Sequence, residues 1–374
     1  MNYNEIILSN FPTQVGVLSV IGDKEQDINS FRYLGYVNKR DYKILIDNAL
    51  QKLFISLILY KKIYLSDKDF MKLIEIIGWE EGLVLLKSDA VKIFYDKYEP
   101  SVTVHRSKRH ILLMPWYEVE PTCYIRKLDW LDINFEDQGL EHSSKSEIIN
   151  TFQDAYISLE DVSENFYDST IKVINQVEQK NIKNLDYQET LYILRVYEIF
   201  NSFRQRNRFD VSTHLLDAFA KSYLHKNAIT SLFVDKKESK LELFDSIVEG
   251  KGIPDIYQLH KLGVLRAKQV LEIREDLNTQ RFRDWFLDPS RSDNEIFYNV
   301  IKRQNVFNKI HWDAIKFVTT TLVGMADPLS GLLTSILFER DVFKNNKDTW
   351  HPNLFLDDVL NKKLNYITNK ENPS

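Results

Sequence analysis

The 374 residues are 44% apolar and 13% aromatic, enough for a sizeable core and far from the composition of a disordered chain. A formal net charge of −5 gives no global attraction to nucleic acid or an anionic membrane, and 11 Gly with 9 Pro argue against a loop-rich β architecture. The single cysteine, Cys123, excludes an intrachain disulfide and a thiolate-built zinc site, and it fits a reducing compartment.

Met1 to Asn10 carries no Lys or Arg and no long apolar run, so no secretory signal is expected. Thr13 to Val20 is apolar and β-branched and predicts a strand. Tyr42 to Tyr60 reads as a strong amphipathic helix, with Asp47, Asn48, Gln51 and Lys52 on one side. Ile63 to Leu65 predicts a short strand. Ser66 or Asp67 then caps a helix from Lys68 to Ile77, stopped by Gly78, and Trp79 to Leu86 forms another. Val91 to Tyr95, Val102 to His105 and Ile111 to Tyr117 alternate like strands of a small sheet. The acidic stretch Asp129 to His142 is the expected domain boundary.

Beyond it the pattern turns helical. Ser144 to Glu147 reads as a capping box opening a helix through Ile157. Helical spacing continues over Asp161 to Gln179, and Asp186 opens the next helix. Val211 to Leu224, Leu241 to Val248, Ile256 to Leu262, Ala267 to Ile273 and Thr279 to Phe286 are further helices. Glu295 to Val306, Trp312 to Val323, Leu329 to Phe338 and Leu354 to Leu364 complete the series. The expected architecture is α+β and predominantly helical: a mixed domain with a small sheet over residues 1–140, then a helical domain over 141–374. Neither Ile44 to Tyr60 nor Phe317 to Phe338 reads as a stable membrane span, because the first is amphipathic and the second is broken by Asp327-Pro328.

The densest candidate chemistry is Arg204-Gln205-Arg206-Asn207-Arg208, followed by His214. Arg neutralises phosphate charge, and His shuttles protons near neutral pH. The spacing of Arg208 and His214 resembles the Arg-x4–6-His motif of HEPN ribonucleases, helical proteins common in bacterial toxin and defence systems. That resemblance implies an Arg and a His on one helical region acting on the RNA 2′-hydroxyl and scissile phosphate, usually in a dimer. Phe209 departs from the small polar residue the family favours after the Arg. The bland reading is a basic helix end that complements the helix dipole, with a break near Asp210 that puts Arg208 and His214 on separate elements.

Arg106, Lys108 and Arg109 sit on a strand–loop–strand near Trp116 and Tyr117. With Arg204 and Arg206 they form the candidate RNA contacts; a solvated hairpin tip is the plain alternative. Glu238-Ser239-Lys240 reads as a charged turn. Arg281 and Arg283 are expected to flank Trp285 on an exposed face, an interaction surface. The stretch from Gly252 through Phe286 resembles segments of bacterial proteins of unassigned role, some associated with phage defence, and implies no active residue. Phosphate-loop, dinucleotide, hydrolase and metal-ligand motifs are absent from the sequence, so no cofactor and no metal is expected.

Three function classes follow. The first is a non-enzymatic interaction or effector protein of a bacterial, phage-defence-like system, cytoplasmic, with a protein partner or a second copy of itself. The second is a metal-independent ribonuclease using Arg208 and His214. The third is a membrane-active effector using an apolar hairpin over Phe317 to Phe338.

Overall fold

The structure is a computed structural model. It describes residues 2–9, 11, 17–20, 39–95, 100–105, 110–115, 156–158, 187–216, 218–226, 238–301 and 350–371, with the isolated residues 172, 176 and 178. The fold is α+β and mostly helical, as expected. The chain divides into two compact units: residues 1–53 with 60–235, and residues 54–59 with 236–374. The expected boundary at residues 129–142 lies outside the described residues, as do the helices expected at 312–323 and 329–338.

The first unit is built on five parallel strands in the order β7-β4-β3-β1-β8. These are β1 (Asn2–Ser9), β3 (Lys62–Ser66), β4 (Val91–Tyr95), β7 (Tyr156–Ser158) and β8 (Val211–Leu216). A second sheet has β5 (Pro100–His105) in the middle, parallel to β2 (Val17–Val20) on one side and antiparallel to β6 (His110–Pro115) on the other, in a hairpin whose last pair is His105 and His110. In the parallel sheet Ile7 lies level with Tyr64 on one side and His214 on the other, so these three share a face. Ile6, Ile63 and Thr213 share the opposite one. Ile6, Ile7, Leu8, Ile63 and Leu65 are fully buried, the near-continuous apolar run that a parallel sheet covered on both faces requires.

Helix α1 (Lys39–Leu59) precedes β3. Helix α2 (Asp67–Ile77) starts on Ser66, whose hydroxyl accepts from the Asp69 amide, and it stops at Gly78, where φ is +84°. Helix α3 (Trp79–Lys87) packs so close to α2 that a Cβ on Gly82 would lie 1.9 Å from Ile74 Cδ1. Helices α4 (Tyr187–Arg208) and α5 (Ala218–Lys226) flank β8 in sequence.

Three expectations are corrected here. Val211 to Leu216 is a buried strand, with the helix starting only at Ala218. Tyr156 to Ser158 is a strand where a helix was expected through Ile157. Asn2 to Ser9, read as no element, is the interior strand β1, between β3 and β8.

The second unit comprises α6 (Glu238–Gly250), α7 (Ile256–Lys261), α8 (Ala267–Arg274), α9 (Leu277–Phe286), α10 (Asp293–Ile301), a π-helix (Leu354–Asn361) and α11 (Lys362–Glu371). Its core is an aromatic cluster. Phe282 lies 4.5 Å from Phe355 and 5.2 Å from Phe286 between ring centroids, and Phe244 meets all three. Glu238 to Lys240 is the first turn of α6, not a free turn, and Lys240 is buried against Asp293 at 2.7 Å. Residues 54–59, the end of α1, belong to this unit. There the Phe54 ring packs, tilted, against that of His260 at 4.4 Å between centroids.

The last carbonyls of a helix have no partner within it. At the end of α1 two buried arginines supply the missing donors. Arg274 Nη1 donates to the Leu57 carbonyl at 2.7 Å, and Arg283 Nε donates to that of Ile58 at 3.2 Å. Two cations at a helix C-terminus also complement its dipole.

Candidate functional site

The hairpin of α4 and β8 places the Arg and His singled out in the sequence. Arg206 and Arg208 occupy the last turn of α4, where cations are favourable. The helix stops because Asp210 turns to φ +50°, a left-handed conformation that Asp tolerates better than most residues. The Asp210 carbonyl then accepts from the Asn2 amide at 2.7 Å, which starts the β1–β8 register. Phe209 folds back and stacks on Tyr64 at 4.4 Å between centroids. Arg208 and His214 therefore lie on separate elements, not on the single helical region that the ribonuclease resemblance implied. Arg208 is exposed on the last turn of α4, and His214 is buried in β8.

Returning along β8, the chain brings His214 opposite the second-last turn of α4. His214 Nδ1 donates to the Ser202 carbonyl at 3.2 Å. The carbonyl only accepts, which fixes the proton on Nδ1 and leaves Nε2 as an acceptor. The Ser9 hydroxyl donates to Nε2 at 2.9 Å. A buried imidazole is costly unless hydrogen-bonded, and here both nitrogens are satisfied. Burial, with the Arg206 guanidinium adding to it, pushes the imidazole down from its usual 6.5 to about 3; the bond to Ser202 works the other way. The ring is neutral throughout the physiological range.

This chain of contacts occupies a particular place in the sheet. β1 is flanked by β3, the next strand of this sheet in sequence, and by β8, the last. The strand order therefore changes direction between β1 and β8. In open parallel sheets ligands bind outside the carboxyl ends of the strands at such a point. Ser9 closes β1 at that end, level with Leu216 of β8, and is half-buried. Further down the same face Tyr64 donates to Glu5 at 2.8 Å, and burial followed by that bond pushes its phenol above the usual range.

The other expected site residues are dispersed. Arg204 is half-buried and donates from Nε to Asn201 at 2.8 Å. Arg106, Lys108 and Arg109 lie outside the described residues, between the two strands of the β5–β6 hairpin. Trp116, Tyr117 and Phe317 to Phe338 are likewise outside them. The exposed trio of Arg281, Arg283 and Trp285 requires correction. Arg281 is exposed, but Arg283 points inward to the end of α1 and also donates to the Arg274 carbonyl at 3.2 Å. Burial, then the Arg274 charge, draws its guanidinium down to about 10. The cation over Trp285 is Arg291, 5.6 Å from the ring centre.

Ser9 was missed in the sequence. Its signal was the run Glu5-Ile6-Ile7-Leu8-Ser9, three apolar residues ending in a polar one, which is a short buried strand in outline. Among the described residues no three His, Cys, Asp or Glu gather to hold a metal ion, and no helix is long and apolar enough to cross a membrane. No protein-family model, curated protein or solved structure matches the chain.

Proposed function

We propose that the chain works by binding, as an interaction or effector protein, and does not cleave RNA through Arg208 and His214. One observation carries this reading: both ring nitrogens of His214 are engaged, and burial holds the ring neutral. An effective general acid–base titrates near the working pH and has a nitrogen within hydrogen-bond reach of the substrate. His214 meets neither requirement. Its neutral ring serves instead to hold β1, β8 and α4 together.

Three large apolar side chains of the second unit, Leu262, Leu277 and Tyr366, are 60% or more exposed. A protein partner or a second copy of the chain is part of this proposal, and a contiguous apolar patch would mark its place. The proposed setting is the bacterial cytoplasm, with which the lone cysteine and the Lys-, Asn- and Ile-rich sequence accord, and a role in antiviral defence is proposed with it.

The test is cleavage of a fluorogenic single-stranded RNA by the purified chain, beside Arg208→Ala and His214→Asn. The reading predicts no turnover above buffer for any of the three. Turnover by the wild type that Arg208→Ala abolishes would overturn it.

A further inference from the structure

Two large apolar side chains that the helical unit leaves exposed flank a single ion pair. Lys363, in the first turn of α11, reaches back to the corner between α8 and α9. Its Nζ donates to the Glu272 carbonyl at 3.4 Å and pairs with the Asp276 carboxylate at 3.6 Å. Leu277 follows Asp276 directly and is 60% exposed. Tyr366 stands three residues beyond Lys363, on the same face of α11, and is 68% exposed. The charges around the two divide by sign. Beside Tyr366 are Lys362 and Lys363, and the Lys362 side chain is 71% exposed. Beside Leu277, at the end of α8, are Glu272 and Glu275, both exposed, with the Glu275 side chain at 67%. Arg281 lies a turn further along α9. Lys362 pairs with Asp358 and Glu275 with Arg274 on their own chain, but ion pairs this open to water contribute little.

We infer that the α8–α9 corner and the first turns of α11 form a surface that pairs with the same surface of a second copy of the chain. A patch that is basic on one side and acidic on the other is complementary to itself. A two-fold axis at the Lys363–Asp276 pair sets the lysines of one copy against the glutamates of the other, and Tyr366 against Leu277. An unrelated partner has to match both signs and both apolar side chains, whereas a second copy supplies all of them. The inference rests on the reading that the chain works by binding, and it names the partner and the face.

Sedimentation velocity on the full chain tests it. The wild type is expected to dimerise at about 100 µM protein and to loosen as salt is raised. Tyr366→Ala is expected to weaken self-association by about tenfold or more, the effect of removing an aromatic side chain from the centre of an interface. The charge-reversed chains Lys362→Glu and Glu272→Lys/Glu275→Lys are each expected to be monomeric, because like charges then face each other across the axis. Mixed in equal amounts they are expected to dimerise again, which no misfolded variant could do. A wild type that stays monomeric at that concentration overturns the inference, as does a dimer indifferent to Tyr366→Ala or to either reversal. Reversed chains that stay monomeric when mixed overturn it too. A monomeric wild type together with uncleaved RNA would sink this inference alone, whereas RNA cleavage lost in Arg208→Ala would sink the binding reading itself.

Discussion

Replacing His214 with Asn should change how the stability of the protein responds to acid. In the folded chain the imidazole stays neutral down to about 3, while in the unfolded chain it titrates at its ordinary 6.5. Above 6.5 both states are neutral, and the contribution is fully present. As the pH falls from 6.5 towards 3 the unfolded state takes up a proton that the folded state refuses, so stability is lost across that window. Each pH unit well inside it costs about 1.4 kcal/mol. Between pH 7 and pH 5 the loss from this one residue comes to about 2 kcal/mol, allowing for the part of the first unit that lies above 6.5. The assay is urea unfolding followed by circular dichroism at both pH values, for wild type and His214→Asn. Other titrating groups are common to both proteins and cancel in the difference. Whatever stability advantage the wild type holds at pH 7 is expected to shrink by about 2 kcal/mol at pH 5. A pH-independent difference would mean that His214 titrates alike in both states, and the account of its burial would be refuted.

Two further predictions concern the helical unit. Arg283→Met leaves the Ile58 and Arg274 carbonyls without their buried donor and is expected to cost roughly 2–4 kcal/mol, read by the same denaturation; a loss under about 0.5 kcal/mol, the usual limit for a neutral surface change, would contradict the capping role. The Asp255 side chain accepts from the Gln258 amide at 2.8 Å as the N-cap of α7, so Asp255→Ala is expected to lower stability by about 1 kcal/mol, visible as a fall in Tm, while Asp255→Asn keeps most of it.

Helices with caps and sustained periodicity were legible in the sequence. Ser66 and Gly78 bracket α2 as their chemistry dictates, and α7, α8 and α9 fall within a few residues of their apolar patterns. The parallel sheet was only half visible. Its strands are short and covered on both faces, so β1 and β8 show no alternation to separate them from helix. Val211-Ser212-Thr213 is β-branched and polar enough to favour a strand, but apolar residues on both sides of Asp217 hide the change from strand to helix in the sequence. The site suffered most, because Ser9 and His214 lie 205 residues apart and meet only through strand pairing. The sequence does carry the reason that Arg208 and His214 separate: Asp210 sits where the helix has to stop. Arg283 was misread because its role depends on α1, more than two hundred residues earlier, which no local pattern reveals.

The central claim is that the imidazole of His214 is fixed as the neutral Nδ1–H form and acts as an acceptor for Ser9. Long-range proton–nitrogen correlation spectra of the ¹⁵N-histidine-labelled protein test this directly. The account predicts one ring, absent in His214→Asn, with a protonated Nδ1 and a bare Nε2, its shifts unchanged from pH 8 down to pH 5. A His214 ring that titrates with a midpoint near its ordinary value, or that carries its proton on Nε2, would contradict it.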